Sequence, residues 1–185
     1  MLNRRHFLTV AGAAAISRPA SAQCAPVNLG IQNILQQQSN WCWAAAAQQI
    51  IYWALGSAPA QCQLVAQANN ASANGVCSFP GNANVPGSMN QIQYLIGQHI
   101  GAFSNLSGPG SPAQVYQTLA NNRPIIMLVN PGFSTVGHFV VIRAVGCSGP
   151  NFWIQLNDPL NFSGFPTTVT YQQIAPMWQG AIIVG

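Results

Sequence analysis

Residues 36–50 read QQQSNWCWAAAAQQI, and the interpretation of the rest of the chain depends on this stretch. It places Cys42 between two tryptophans, after a glutamine-rich run and before an alanine-rich one. Ser39 or Asn40 can cap a helix that continues to about Leu55 and ends at the next glycine. The apolar residues of this helix recur at intervals of three and four, as one buried face requires. The stretch therefore predicts a buried helix with a cysteine in its first turn.

Three roles are open to Cys42: a buried core residue, half of a disulfide, or a nucleophile. A lone cysteine is more often a small apolar filler than a nucleophile. A thiol attacks as its thiolate, and the thiolate is favoured at a helix N-terminus or beside a histidine. A helix start satisfies the first condition. A nucleophilic role also needs a base and a group that orients the base.

The first residues, MLNRRHFLTVAGAAAISRPASAQC, are typical of an export signal rather than of a folded domain. Arg4 and Arg5 precede a mildly apolar run, and small residues ending at Ala22 form a cleavage pattern. The run is too short to span a bilayer as a mature helix, and a short amphipathic helix is the alternative. We expect a twin-arginine signal over 1–22, a mature domain over 23–185, and a periplasmic or secreted bacterial protein.

Removal of the signal changes the charge of the chain. The full sequence has five arginines, no lysine and one acid, with a formal charge of +4. Cleavage would leave Arg123 and Arg143 against Asp158, a formal charge of about +1. Such a surface offers no basic patch for phosphates, so we expect no nucleic-acid partner.

The cysteines of the mature chain are odd in number, so at least one thiol is free or pairs between chains. They are Cys24, Cys42, Cys62, Cys77 and Cys147. No CxxC spacing or ligand cluster indicates a metal site, and we expect no cofactor. With Cys42 reserved, Cys62 and Cys77 bracket a polar loop and can staple it. Cys24 and Cys147 then pair by exclusion, although four cysteines allow three connectivities. Gln23 is bulky where a lipid-anchoring motif needs a small residue, so no stable membrane anchor is expected.

The chain divides into a helical part and a strand-rich part. Further helices are predicted over 60–69, 88–99 and 111–122, with surface loops over 70–87 and 101–110. Segments rich in β-branched and aromatic residues predict strands: RPIIMLVN, GHFVVIRAVGC, NFWIQLND and GAIIVG. The segment TYQQIAPMW predicts one helical turn. Helices followed by antiparallel strands indicate an α+β domain.

Two histidines remain as candidate bases after cleavage. His99 lies in a predicted helix and has the pattern of an ordinary surface residue. His138 opens the strand GHFVVIRAVG, where it can face a cleft or serve as a solvated turn residue. The single carboxylate, Asp158, follows the next strand, and a hairpin would bring it to the same sheet end. Asn157 is an amide alternative that strand alternation points the other way, and Asp before Pro is also a common turn device.

These three segments together resemble papain-like cysteine proteases. The stretch around Cys42 resembles their nucleophile motif, in which a glutamine and a polar spacer precede Cys-Trp-Ala at the start of the central helix. GHFVVIRAVG is similar to their histidine strand, and NDP to the third-residue segment of the subgroup that uses Asp. The similarity covers residues 30–183 in order of elements. It is greatest to a small exported bacterial group related to secreted effector proteases of plant pathogens, and looser to bacteriocin-leader peptidases.

The resemblance implies a papain-like fold, with the catalytic helix packed on a C-terminal antiparallel sheet. It implies peptide-bond hydrolysis through a thioester acyl-enzyme, with Cys42 as nucleophile and His138 as general base and then acid. Asp158 would orient the imidazole. Gln36, or Gln37 beside it, would donate to the oxyanion together with the backbone N–H of the cysteine.

Several further expectations complete this interpretation. Trp41 precedes the helix and can line the cleft, whereas the helical phase of Trp43 favours the core. We expect a protein or peptide substrate, a monomer, and export of the precursor by the twin-arginine machinery. Only residues 23–41 separate the signal from the cysteine, so no long N-terminal prodomain is expected. A non-peptidase acyl transferase or amidase on the same triad, and a secreted interaction module with a structural thiol, are the alternatives.

Overall fold

The structure is a computed structural model, and it describes residues 24–130, 132, 137–160 and 166–185. The predicted export signal over 1–22 lies outside the described residues. None of the helices in these ranges has the length and apolar character needed to cross a membrane.

The central helix, α1 (Cys42–Leu55), is formed by the alanine-rich stretch. Its alanines favour helix and leave little side-chain volume between the helix and its neighbours. The four alanines at 44–47 are all fully buried, as is Trp43, which lies in the core as predicted. Gly56 adopts φ 74° and donates its N–H to the Tyr52 carbonyl, so the left-handed turn that glycine tolerates ends the helix.

The other α-helices lie at the predicted positions with one exception, α3, and side-chain caps mark several of their starts. They are α2 (Gln61–Ala68), α3 (Ala73–Ser78), α4 (Met89–His99), α5 (Pro112–Ala120) and α6 (Tyr171–Ile174). Ser88 and Ser111 accept hydrogen bonds from backbone N–H groups three residues on, and a glutamine returns the bond in each case. The start of α4 and of α5 is therefore encoded locally.

The prediction of an irregular loop over 70–87 is wrong. Its first part is α3, and a 3-10 helix follows at Pro80–Ala83. Ser72 caps α3 by accepting from the Gly75 N–H, and a disulfide between Cys62 and Cys77 fastens α3 to α2. None of the α3 residues is buried, so no apolar periodicity marked this helix in the sequence.

The described strands form one antiparallel sheet. They are β1 (Val27–Asn28), β2 (Phe103–Ser107), β3 (Ile125–Val129), β4 (His138–Ser148), β5 (Asn151–Asn157), β6 (Thr168–Thr170) and β7 (Trp178–Val184). Their order is β2-β7-β3-β4-β5-β6, and β1 pairs with β4. The predicted loop over 101–110 contains β2, so that prediction is wrong. This edge strand is mostly exposed, and it is held by pairing with β7.

Both faces of the sheet are covered. On one face α1, α2 and α4 pack over residues such as Ile126, Val141 and Ile182. On the other face α5 and α6 pack over residues such as Met127 and Val140. Because neighbouring residues of a strand point to opposite faces, β3 and β4 must be apolar at nearly every position. This two-sided burial explains the continuous apolar runs in the sequence.

The disulfides pair as the sequence predicted: Cys24 with Cys147, and Cys62 with Cys77. The first fastens the N-terminal segment to the far end of β4, and the second joins α2 to α3. Cys42 is the free cysteine among the described residues.

Gly87 provides a test of packing between the segment after the 3-10 helix and α1. A Cβ atom added at Gly87 would lie 2.3 Å from the indole ring of Trp43. We expect Gly87→Ala to lower the free energy of unfolding by about 1–3 kcal/mol, because the fully buried ring must shift. Chemical denaturation measures the loss. Gly81→Ala is the matched control, since nothing lies within 4 Å of its added Cβ. Equal stability of the two variants would contradict this packing.

Candidate active site

Cys42 is the first residue of α1, and the residue is partly exposed. The residue at the N-cap position is Trp41, and no side chain caps the helix there. The predicted caps, Ser39 and Asn40, therefore lie just outside the helix. The first backbone N–H groups of a helix have no acceptor within it. The sulfur accordingly lies at the positive end of the helix dipole, next to backbone donors.

A distant asparagine holds the two residues that precede the N-cap. Asn84 Oδ1 accepts from the Asn40 backbone N–H at 2.9 Å, and its carbonyl accepts from the Asn40 side chain at 3.0 Å. Its own amide donates to the Ser39 hydroxyl at 2.9 Å. Asn84 thus fixes the segment just before the helix, and sequence reasoning missed it because the partners are 44 and 45 residues apart.

Trp41 does not line an open cleft, and that prediction is wrong. Its side chain is fully buried in the core, and its indole N–H donates to the Ala83 carbonyl at 2.9 Å. Because Ala83 belongs to the 3-10 helix, this hydrogen bond connects the 3-10 helix to the start of α1. The residue holds the site together rather than contacting substrate.

His138 and Asp158 form a buried pair. Their side chains are 2.6 Å apart, from Nε2 to Oδ1. His138 begins β4 and Asp158 follows β5, so the antiparallel hairpin brings them to the same end of the sheet, as predicted. The exposed fractions are 6% for His138 and 2% for Asp158. The carboxylate oxygen also accepts the Leu160 backbone N–H at 2.9 Å, which fixes its orientation.

The imidazole of His138 also contacts the thiol of Cys42. Burial lowers the pKa of His138, but hydrogen bonds with Asp158 and Cys42, and the charges of these partners, outweigh burial and raise the pKa to about 9. The imidazole is therefore protonated at neutral pH. Because Nε2 faces the carboxylate, Nδ1 is the ring nitrogen left for the sulfur. His138 thus contacts both the Cys42 thiol and the Asp158 carboxylate, and these three residues are called here the row.

The two glutamines predicted to donate to the oxyanion precede Cys42 in the sequence. Gln36 Nε2 donates to the carbonyls of Gln38 and Ser39, both at 2.8 Å, and its buried Oε1 has no hydrogen-bond partner among the described residues. Gln37 is exposed and donates its backbone N–H to Gln61 Oε1 at 2.8 Å. Gln36 must release one of its two acceptors before it can donate to an oxyanion, so its role stays a prediction.

The alternative residues, Asn157 and His99, make hydrogen bonds to other partners. Asn157, the amide alternative to Asp158, donates to the Ile31 carbonyl at 2.9 Å and to Gln49 Oε1 at 3.0 Å. His99 pairs with Gln67 Oε1 at 2.9 Å, away from the row. Gln49 was missed, although an amide within the apolar face of a predicted buried helix is a recognisable signal.

Comparison with known families agrees with this geometry. The model of the Peptidase_C39 like family matches residues 28–181, a span that contains all three residues of the row. The chain belongs to this family. It is a papain-like cysteine peptidase.

Solved structures resemble the peptidase in fold across most of its length. The peptidase domain of Streptococcus ComA, a bi-functional ABC transporter involved in quorum sensing, is 16% identical with a TM-score of 0.56, and the match covers 83% of this chain and 98% of that one. A putative C39-like peptidase from Bacillus anthracis is 13% identical with a TM-score of 0.58, covering 87% and 98%. No curated protein matches the chain at a significant level.

The likeness extends to larger papain-like enzymes. Procathepsin L 3 from the larval midgut of Tenebrio molitor is 11% identical with a TM-score of 0.54. The match covers 93% of the peptidase and 72% of the procathepsin. At such identities the comparisons show the shared fold alone.

The raised pKa of His138 predicts how the stability of the peptidase depends on pH. The folded state holds the proton more tightly than the unfolded state, so the stabilisation is complete below about pH 6.5 and is lost as pH rises through about 9. We expect a loss on the order of 3 kcal/mol across this window. Urea unfolding at a series of pH values measures it.

His138→Gln should flatten that pH dependence, whereas the matched variant His99→Gln should retain it. A parent protein whose stability is constant between pH 6 and 10 would contradict a protonated, paired His138.

Proposed function

We propose that the peptidase hydrolyses peptide bonds in protein or peptide substrates through a Cys42–His138–Asp158 triad. The observation that carries the proposal is the position of one imidazole between the free thiol and the buried carboxylate. Such an arrangement supplies a nucleophile, a proton carrier and a group that orients the carrier. No other described residue offers a carboxylate, because Asp158 is the one acidic side chain in the sequence.

The reaction follows from the protonated resting state of the imidazole. The Cys42 sulfur attacks the scissile carbonyl carbon and forms a C–S bond, while the carbonyl oxygen takes the electron pair. The backbone N–H of Cys42 stabilises this oxyanion, with Gln36 as the candidate second donor. His138 then gives its proton to the departing amine, the C–N bond breaks, and a thioester remains.

Hydrolysis of the thioester restores the enzyme. The neutral His138 takes a proton from water as the water oxygen attacks the thioester carbonyl. The C–S bond breaks, the carboxylic acid product leaves, and the sulfur again pairs with the protonated imidazole. Asp158 accepts from Nε2 throughout, so the ring cannot turn away from the sulfur.

Substitution of the nucleophile tests the proposal directly. We expect Cys42→Ala to abolish cleavage of a fluorogenic peptide library, and iodoacetamide to inactivate the parent at a rate that matches labelling of Cys42 by peptide mapping. Ser39→Ala is the control, because it removes only one hydrogen bond to Asn84. Full cleavage by Cys42→Ala would show that the thiol is not the nucleophile.

The carboxylate provides a graded test. Asp158→Ala should lower kcat/KM by about 100-fold or more, because the imidazole loses the acceptor that orients it. Asp158→Asn should retain part of the activity, since an amide oxygen can still accept from Nε2. Steady-state kinetics of both variants measures these changes in kcat/KM. Two variants with the parent's kcat/KM would remove Asp158 from the mechanism.

A transferase or amidase reaction on the same three residues differs only in the group that enters or leaves the thioester. Addition of a primary amine to the peptide assay separates the possibilities by mass spectrometry. If the main products are amides of the added amine rather than carboxylic acids, the reaction is acyl transfer and not hydrolysis.

We further propose that the peptidase acts outside the cytoplasm after twin-arginine export. Two disulfides are expected in an oxidising compartment, which supports this location. We expect replacement of Arg4 and Arg5 by lysine to retain the protein in the cytoplasm of a bacterial host. Cell fractionation and immunoblotting measure the distribution. Unchanged export of the double variant would contradict the route.

A further inference from the structure

We infer that Gln49 is a positioning residue for acyl transfer. It acts through a chain of three amide side chains, Asn157, Gln49 and Asn33, called here the amide chain. The amide chain joins α1 to the glutamine loop, defined as residues 31–38, and to the segment that carries Asp158. The inference rests on the proposed acyl-transfer function of the same site.

Gln49 occupies a position where an apolar side chain would be expected. It lies seven residues after Cys42 on α1, about two helical turns along the same face. Only 1% of it is exposed. A buried amide is costly unless its hydrogen bonds are made. A glutamine buried here therefore requires specific hydrogen-bond partners.

The hydrogen bonds of Gln49 are directed at two segments of the site. Its Nε2 donates to Asn33 Oδ1 and to the Ile34 carbonyl, both at 3.1 Å. Both N–H groups are thus used on the glutamine loop. Its Oε1 accepts from Asn157 Nδ2 at 3.0 Å, which joins the helix to the end of β5.

Asn157 and Asn33 connect the same two segments directly. Asn157 is 3% exposed, and its amide also donates to the Ile31 carbonyl at 2.9 Å. Asn33 Nδ2 donates to the main-chain carbonyl of Asp158 at 3.0 Å. A main-chain bond from Gln36 to the Pro159 carbonyl, at 2.8 Å, lies alongside. The amide chain and this main-chain bond together fasten the glutamine loop to residues 157–159.

This arrangement has a specific chemical consequence. The glutamine loop carries Gln36, the candidate oxyanion donor, while the sulfur is fixed by α1 itself. Attack on a carbonyl develops an oxyanion, and its donors must be correctly placed. Alkylation of the thiol by iodoacetamide develops none. Loss of the amide chain should therefore slow acylation much more than alkylation.

The test compares two single-turnover rates at Cys42. One is acylation by a p-nitrophenyl ester, followed by nitrophenolate release, and the other is alkylation by iodoacetamide. We expect Gln49→Met to lower the ratio of acylation to alkylation rate by about tenfold or more. Asn33→Ala should lower it in the same direction, and because Asn33 is exposed this variant is expected to fold.

Gln67→Met is the matched control. It makes the same substitution on α2, where Gln67 pairs with His99 at 2.9 Å and makes no bond to the glutamine loop. Its ratio should equal that of the parent. If Gln49→Met and Asn33→Ala also keep the parent ratio, Gln49 is only a structural residue and the inference is wrong.

The same measurements separate this inference from the proposed function. A parent that forms the acyl-enzyme from the ester but cleaves no peptide contradicts the proposed peptide hydrolysis, while the ratio still decides the role of Gln49. A parent whose Cys42 reacts with iodoacetamide but not with the ester overturns both.

Discussion

The pairing of β4 with β5 is the constraint on which the site depends, because it brings the single carboxylate of the chain against His138. A carboxylate that is 2% exposed is costly to bury alone. Its cost is offset by the imidazole at 2.6 Å and by the Leu160 N–H. The same pairing, together with the contact to Cys42, raises the pKa of the imidazole, so the hairpin sets both the stability and the charge of the site.

The second requirement is that the thiol reach this imidazole, and the packing of α1 satisfies it. The fully buried alanines of α1 allow close approach to the face of β4 that carries Phe139 and Val141. Asn84 and the Ala83 carbonyl hold the residues just before the helix from outside. The position of Cys42 is thus set by the core below it and by the disulfide-linked segment beside it.

Much of this arrangement could be predicted from local signals. Serine caps marked the starts of α4 and α5, apolar runs marked β3 to β5, and the scarcity of charge left Asp158 as the one carboxylate for His138. Features set by contacts distant in sequence were missed. Asn84 holds the residues just before α1, β2 exists through its pairing with β7, and a 3-10 helix accepts the indole N–H of the buried Trp41.

Titration of His138 by NMR tests the central claim most directly. The claim is that one imidazole contacts both the Cys42 thiol and the Asp158 carboxylate. We predict that His138 titrates near pH 9 in the parent, and at lower pH in Cys42→Ala and in Asp158→Asn. A His138 that titrates near pH 6.5 in all three proteins would contradict the account.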